Sequence, residues 1–258
     1  MSEASDVAGF YDAWAVDYDA AYTDWVVSVR TQGRLIAGAL ADRGLVPGAR
    51  VLDCSCGIGT QAIGLALAGH DVCGSDISVA EIERARAEAV KFGVSAEFVA
   101  ADLLDLRGTL PKGWTAFDAV ITANSLTHIA DEETLVRAFE QMRLACRSSG
   151  IVAVTNRDYD SIGQPVSTAV QRSTSAGTQR VSLQLWDWAG DGRAYRMTDL
   201  LLTRPESSVD GDWIMRSRST TLHAWRRADI ERAAGRAGLT DVHWHETTWQ
   251  PIATFSSP

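Results

Sequence analysis

Lysine is nearly missing from this chain of 258 residues: Lys91 and Lys112 stand alone, and 24 basic against 33 acidic residues give a net charge of −9. Without a basic run the sequence offers no nucleic-acid surface, because neutralising phosphates needs clustered positive charge. Long apolar runs are missing too, and none approaches the roughly 18 residues of a membrane-spanning helix. Glu3 and Asp6 come before any apolar stretch, so the start lacks the form of a signal peptide. The expectation is a soluble cytoplasmic protein with no membrane partner. Four cysteines (Cys54, Cys56, Cys73, Cys146) are too few for a disulfide framework and read as reduced thiols. No metal site is expected: His243 and His245 alternate along one strand pattern without paired cysteines or a carboxylate cluster. What is present is 46% apolar residues, enough for a full core in one α/β domain spanning 1–258.

No internal repeat or low-complexity segment is visible. Residues 1–45 hold an aromatic lead from Phe10 to Trp25 and then a helical pattern through Leu35, Ile36 and Leu40. Between 50 and 156, short apolar strands (Arg50 to Cys54, Asp71 to Ser75, Ala96 to Ala100, Phe117 to Ala123, Ile151 to Thr155) alternate with helical periods. That order predicts a doubly wound, mostly parallel sheet covered on both faces. The helix after the second strand opens Ser78-Val79-Ala80-Glu81, the pattern of a capping box. The run from Ser161 to Gln179 reads as a linker. Over 178–225, β-type runs (Val181 to Trp188, Tyr195 to Thr203, Trp213 to His223) with turns at Gly190-Asp191-Gly192 and Asp210-Gly211 predict an antiparallel cap. Residues 226–258 are expected to add a helix (Arg227 to Ala237) and a strand (Val242 to Thr248).

Val51-Leu52-Asp53-Cys54-Ser55-Cys56-Gly57-Ile58-Gly59-Thr60 joins the first strand to a helix. Its glycines let the backbone approach a ligand closely, and with Ala62 the run completes G-x-G-x-x-A, so a dinucleotide is one candidate. The acids favour S-adenosylmethionine. Asp53, four residues before Gly57, would repel a pyrophosphate but can receive an ammonium group; Asp76 is placed for ribose hydroxyls and Asp102 for an adenine amino group. Three acids at three successive strand ends suit a cationic, phosphate-free nucleoside.

These segments, with Gly113 to Ile129 (GWTAFDAVITANSLTHI) and Ile151 to Asp160 (IVAVTNRDYD), resemble the class I S-adenosylmethionine-dependent methyltransferases. Within them the chain looks most like the small-molecule group around glycine N-methyltransferase. The resemblance implies a Rossmann-like sheet with an N-terminal helical lid. It assigns Asp53, Gly57 and Gly59 to the methionyl part of the cofactor, Asp76 and Ile77 to the ribose, and Asp102 and Leu103 to the adenine. Asn124 and His128 would flank the methionine chain and the acceptor. Arg30, or Arg34 one turn later, would hold the cofactor carboxylate, and Tyr11, Tyr18 and Trp25 would close over it. It also implies that Arg157 binds an acceptor carboxylate and that Tyr159 orients or deprotonates the acceptor; Tyr11, Asn124, Arg157 and Tyr159 form the expected catalytic set.

Six of nine tryptophans lie in the C-terminal third, and Trp186 and Trp188, two apart, point to one face of a strand. They suggest a flat acceptor, indole-like or an aromatic amine, methylated at nitrogen or carbon. Glycine or sarcosine, favoured by Arg157 and Asn124, is the alternative; a non-catalytic S-adenosylmethionine-binding regulator and a nicotinamide-dependent oxidoreductase are more remote. The acceptor's identity and the oligomeric state do not follow from the sequence.

Overall fold

The computed structural model of the chain describes residues 3–162, 169–175, 177–207 and 211–258. Helix α1 (Glu3–Asp12), a 3-10 turn (Tyr18–Ala21) and helix α2 (Trp25–Asp42) precede strand β1 (Arg50–Cys54). There follow α3 (Thr60–Leu67), β2 (Asp71–Asp76), α4 (Val79–Phe92), β3 (Ala96–Ala100), the short α5 (Leu106–Thr109), β4 (Phe117–Ala123), α6 (Glu132–Ala145) and β5 (Cys146–Thr155). Four strands then run in sequence, β6 (Ala169–Ser175), β7 (Thr178–Trp188), β8 (Ala194–Pro205) and β9 (Ile214–His223), before α7 (Arg227–Arg236), β10 (Thr240–His245) and β11 (Ile252–Ser256).

The main sheet has the order β10-β11-β5-β4-β1-β2-β3. Strands β1 to β5 pair in parallel, while β11 pairs antiparallel with both β5 and β10. Successive strand side chains point to opposite faces, and both faces are apolar. Leu52, Val120, Val152 and Val154 join one core with α6 and α7. Val51, Ala119, Ile121 and Ala153 join the other with α2, α3 and α4. On that second face α2 and α3 approach through bare backbone: a Cβ on Gly33 would stand 2.3 Å from the Gly64 carbonyl carbon.

The second sheet, β6-β7-β8-β9, is antiparallel throughout. Nearly half of the expected linker is therefore strand. Ala169–Ser175 forms β6 and Thr178 opens β7, because β7 offers an edge whose backbone groups a neighbouring strand satisfies. The rest of that expected segment, residues 163–168 and 176, lies outside the described residues, as does Asp210 of the expected turn. The C-terminal strand is Thr240–His245 rather than Val242 to Thr248, and Ile252–Ser256 forms a further strand that inserts between it and β5. Among the described residues no helix is long and apolar enough to cross a membrane.

Candidate functional site

Three residues with positive φ shape the loop after β1: Ser55 (φ 83), Gly57 (φ 54) and Gly59 (φ 88). The amides of Ser55 and Cys56 both donate to the Ser75 carbonyl at the end of β2, so the chain folds back before entering α3. The turn leaves a cavity at the C-terminal ends of the parallel strands, the place where open α/β sheets bind ligands. Its walls include Gly57, Asp76, Ile77, Asp102, Leu103, Asn124 and His128, with Tyr11 and Tyr18 from the N-terminal segment. Thus nine residues singled out in the sequence, from five separate segments, share one cavity.

The acids of this region differ in environment. Asp76 is buried and accepts the amides of Gly57 (Oδ2, 2.9 Å) and Ser78 (Oδ1, 2.9 Å), leaving each oxygen capacity for one more donor. Asp102 accepts the Leu104 amide at 2.8 Å. Asp53 does not reach the cavity wall; it is fully buried at the end of β1, and neither carboxylate oxygen has a hydrogen-bond partner. Burial, reinforced by the negative charge of Asp76, pushes its pKa up to about 8. Gly59 also stays off the wall; it caps α3 in a left-handed conformation, with Ile63 packed close where a Cβ would stand.

Glu81 is the acid that the capping-box reading misplaced. Ser78 Oγ does accept the Glu81 amide at 3.1 Å, yet the Ser78 amide is taken by Asp76, so the Glu81 carboxylate has no cap to return to. It turns into the cavity instead, buried, with Oε1 unpartnered, and burial together with Asp76 pushes its pKa up to about 9. A cavity with one orphaned buried carboxylate on its wall, that of Glu81, a backbone cradle and the strand-end acids Asp76 and Asp102, with Asp53 buried at the end of β1, fits a cationic nucleoside such as S-adenosylmethionine.

The aromatic lead closes this cavity from above. The Tyr11 hydroxyl and His128 Nε2 share a hydrogen bond of 2.7 Å. Asp12 Oδ1 accepts from Ser78 Oγ at 2.6 Å, and Asp19 bridges Arg84 on α4 (2.7 Å) and Arg180 on β7 (2.6 Å). Trp25 lies apart: its indole donates to Thr60 Oγ1 at 3.0 Å and packs edge-on against Phe92. Neither Arg30 nor Arg34 reaches the cavity. Helix α2 buries Val29, Gln32, Gly33 and Ile36 against α3, which at the helical turn angle leaves Arg30 and Arg34 exposed; Arg30 sits over the Phe92 ring. The buried polar group on that face is Gln32, whose Oε1 accepts from Gln61 Nε2 at 2.7 Å.

A second cavity of about 640 Å³ adjoins the first and shares Tyr11, Tyr18, Tyr22, Asn124 and His128 with it. Its further walls include Trp14, Arg157, Ser182, Gln184, Met197, Leu222 and Trp249. Asn124 adopts φ +59, which asparagine tolerates, and its Oδ1 is buried without a partner. Arg157 lines this cavity but is held by the protein: Nη1 donates to the Tyr195 hydroxyl at 2.5 Å, and the guanidinium lies 4.6 Å from the centre of the Trp186 ring. Tyr159 is buried off the wall with its hydroxyl 2.8 Å from that of Tyr195. Trp186 and Trp188 do not line the second cavity; they pack with Tyr159, Tyr195 and Met197 in a separate cluster. The aromatic walls of the second cavity come from the N-terminal segment and from Trp249, one of the six C-terminal tryptophans.

Residues 51–150 match the family model described as "Methyltransferase domain". Over 93 residues the chain is 34% identical to the ubiquinone biosynthesis O-methyltransferase of Chromobacterium violaceum, covering 36% of this chain and 39% of that protein. It is 27% identical over 157 residues to the glycine/sarcosine N-methyltransferase of Halorhodospira halochloris, covering 60% of this chain and 54% of that one. The chain thus spans only about two fifths to about half of the length of the curated relatives it matches. In fold the likeness extends further: the S-adenosylmethionine-bound structure of CalS10, an amino pentose methyltransferase from Micromonospora echinaspora, superposes with a TM-score of 0.73 at 18% identity, covering 95% of this chain and 97% of that one. Residues 51–150 thus match a methyltransferase domain, and the chain as a whole has the fold of the methyltransferase structure on which it superposes.

Proposed function

We propose that the protein transfers the methyl group of S-adenosylmethionine to a nitrogen of a small acceptor held in the second cavity. The observation that carries this reading is the continuity of the two cavities through Tyr11, Tyr18, Asn124 and His128. The first suits the cofactor, and the second, of about 640 Å³, has the size of a small-molecule site. On this reading Asp76 and Ile77 hold the ribose, Asp102 and Leu103 the adenine, and Gly57, with Asp53 behind it, the methionyl end.

The cofactor supplies an electrophilic methyl carbon on a sulfonium, so the carbon–sulfur bond breaks as the nitrogen–carbon bond forms. The acceptor nitrogen supplies the electron pair, and S-adenosylhomocysteine leaves. The chain's work is then alignment and exclusion of water. The tyrosines wall the junction, and their ring faces attract a cation. Burial pushes His128 down to about 4, with the nearby Arg157 and His223 acting in the same direction, so its imidazole is neutral at pH 7. A neutral imidazole beside the junction adds no positive charge next to the sulfonium and can help to orient the acceptor.

Tyr11, Trp14 and Trp249 favour an acceptor with a flat or apolar body, whereas Trp186 and Trp188 no longer argue for an indole. Arg157, already engaged by Tyr195 and Trp186, gives glycine little to bind. Release of S-adenosylhomocysteine from a panel holding glycine, sarcosine, tryptamine and an amino sugar tests the reading. Turnover with an amine of larger body is expected, and efficient glycine methylation would overturn the choice of acceptor.

A further inference from the structure

We propose that Gln32 on α2 and Gln61 on α3 together receive the α-carboxylate of S-adenosylmethionine, the task expected of Arg30 or Arg34; this rests on the methyltransferase reading above. The close approach of two glycines sets the position. Gly33 and Gly64 let the two helix backbones touch. Gln32 stands next to the first of them and Gln61 one turn before the second, so their amides meet between the helices, where Gln61 Nε2 donates to Gln32 Oε1 at 2.7 Å. Gln61 lines the first cavity and Gln32 the second, so the pair bridges the two.

Both side chains are buried, Gln32 6% and Gln61 7% exposed. A primary amide carries two N–H donors and one acceptor oxygen. The bond between them uses one N–H of Gln61, so Gln32 keeps both of its donors and Gln61 keeps one, with no further partner among the described residues. Buried donors are ordinarily paired, and donors gathered on a cavity wall call for an acceptor with several lone pairs. A carboxylate, with two oxygens and about four lone-pair sites, takes them all. The start of α3 adds to the attraction: Gly59 caps the helix without a side-chain bond and Gln61 lies in its first turn, where the amides carry partial positive charge. The arginines do not compete, since both are exposed and Arg30 lies over the Phe92 ring.

Calorimetry comparing S-adenosylmethionine with decarboxylated S-adenosylmethionine, which keeps the sulfonium and the amine but lacks the carboxylate, tests this. The wild type should bind S-adenosylmethionine about tenfold or more tightly, the range of a hydrogen bond to a charged group. Gln32→Leu and Gln61→Leu, close in volume to glutamine, should each bring the two ligands to within about threefold, with affinity for the decarboxylated one changed by less than about twofold. Arg30→Ala and Arg34→Ala, on the exposed face of α2, should keep the wild-type preference to within about twofold, and that arm is read whether or not the buried variants fold. No preference in the wild type, a preference that survives in the folded glutamine variants, an equal loss for both ligands there, or a preference lost in Arg30→Ala or Arg34→Ala overturns the proposal. Failure of the wild type to bind either ligand or S-adenosylhomocysteine overturns the methyltransferase reading, and this proposal with it.

Discussion

Tyr11 and His128 lie 117 residues apart in sequence and 2.7 Å apart in space, and this contact ties the N-terminal segment to the end of the parallel sheet where the two cavities meet. Both groups are neutral at pH 7: burial pushes the imidazole down to about 4 and the phenol well above its ordinary value. A neutral pair at this point does not repel a sulfonium.

Replacing Tyr11 by Phe keeps the ring and removes the hydroxyl that positions His128, so kcat should fall by up to about 10-fold, the upper range for one net hydrogen bond. Cofactor affinity should change by no more than about threefold, since one net hydrogen bond is small. Steady-state kinetics beside calorimetry with S-adenosylhomocysteine separate the two effects. An unchanged kcat would remove the pair from the mechanism.

Cofactor binding should release protons. The pKa values of Asp53 and Glu81 rise to about 8 and about 9 in the folded chain, above those of the unfolded chain, so the folded state holds these protons more tightly. The associated stability is fully present below about pH 4 and is lost as pH rises through about 8 to 9. A bound cation reverses the preference and drives the protons off. Titrations with S-adenosylmethionine at pH 7 in two buffers of different ionisation enthalpy should give different heats with the sign of proton release. Equal heats in both buffers would contradict the assignment of these carboxylates to the cofactor.

Asp19 joins Arg84 on α4 to Arg180 on β7, and its carboxylate is only 15% exposed. Asp19→Ala leaves both arginines short of a partner and should cost roughly 1 to 3 kcal/mol, discounted from a fully buried pair for its partial exposure. The loss should be local, with faster hydrogen exchange over residues 8–26 and little change in the sheet. We further expect S-adenosylhomocysteine to restore protection there, as a segment that orders over the cofactor requires. Identical exchange with and without ligand would count against a lid.

Arg157→Lys should lower stability more than acceptor affinity. An ammonium cannot both reach the Tyr195 hydroxyl and lie flat on Trp186, so Tm should drop by several degrees while KM for an amine acceptor stays within about threefold. A sharp rise in KM with Tm unchanged would instead make Arg157 an acceptor ligand.

The alternation of strands and helices over 50–156, the glycine turn and the acids at the strand ends were legible because each depends on local rules: side-chain period, capping and backbone conformation. These determined the Rossmann-like sheet and most of one wall of the cofactor cavity. Local rules failed where the outcome depended on a competing partner. Glu81 matched a capping box, and only the arrival of the Asp76 carboxylate at the Ser78 amide sent its side chain into the cavity. Arg30 had a plausible spacing, but the face of α2 is chosen by the close backbone contact of Gly33 with Gly64, which turns Arg30 away. Trp186 and Trp188 do share a face, as their spacing required, yet Tyr195 and Tyr159 occupy it. The sequence by itself determined which segments become strands, which loop bends tightly and where carboxylates cluster, since those follow from neighbours along the chain. Only the tertiary structure decided that Tyr11 meets His128 and that Asp19 joins Arg84 to Arg180, because both depend on surfaces brought together from distant parts of the chain.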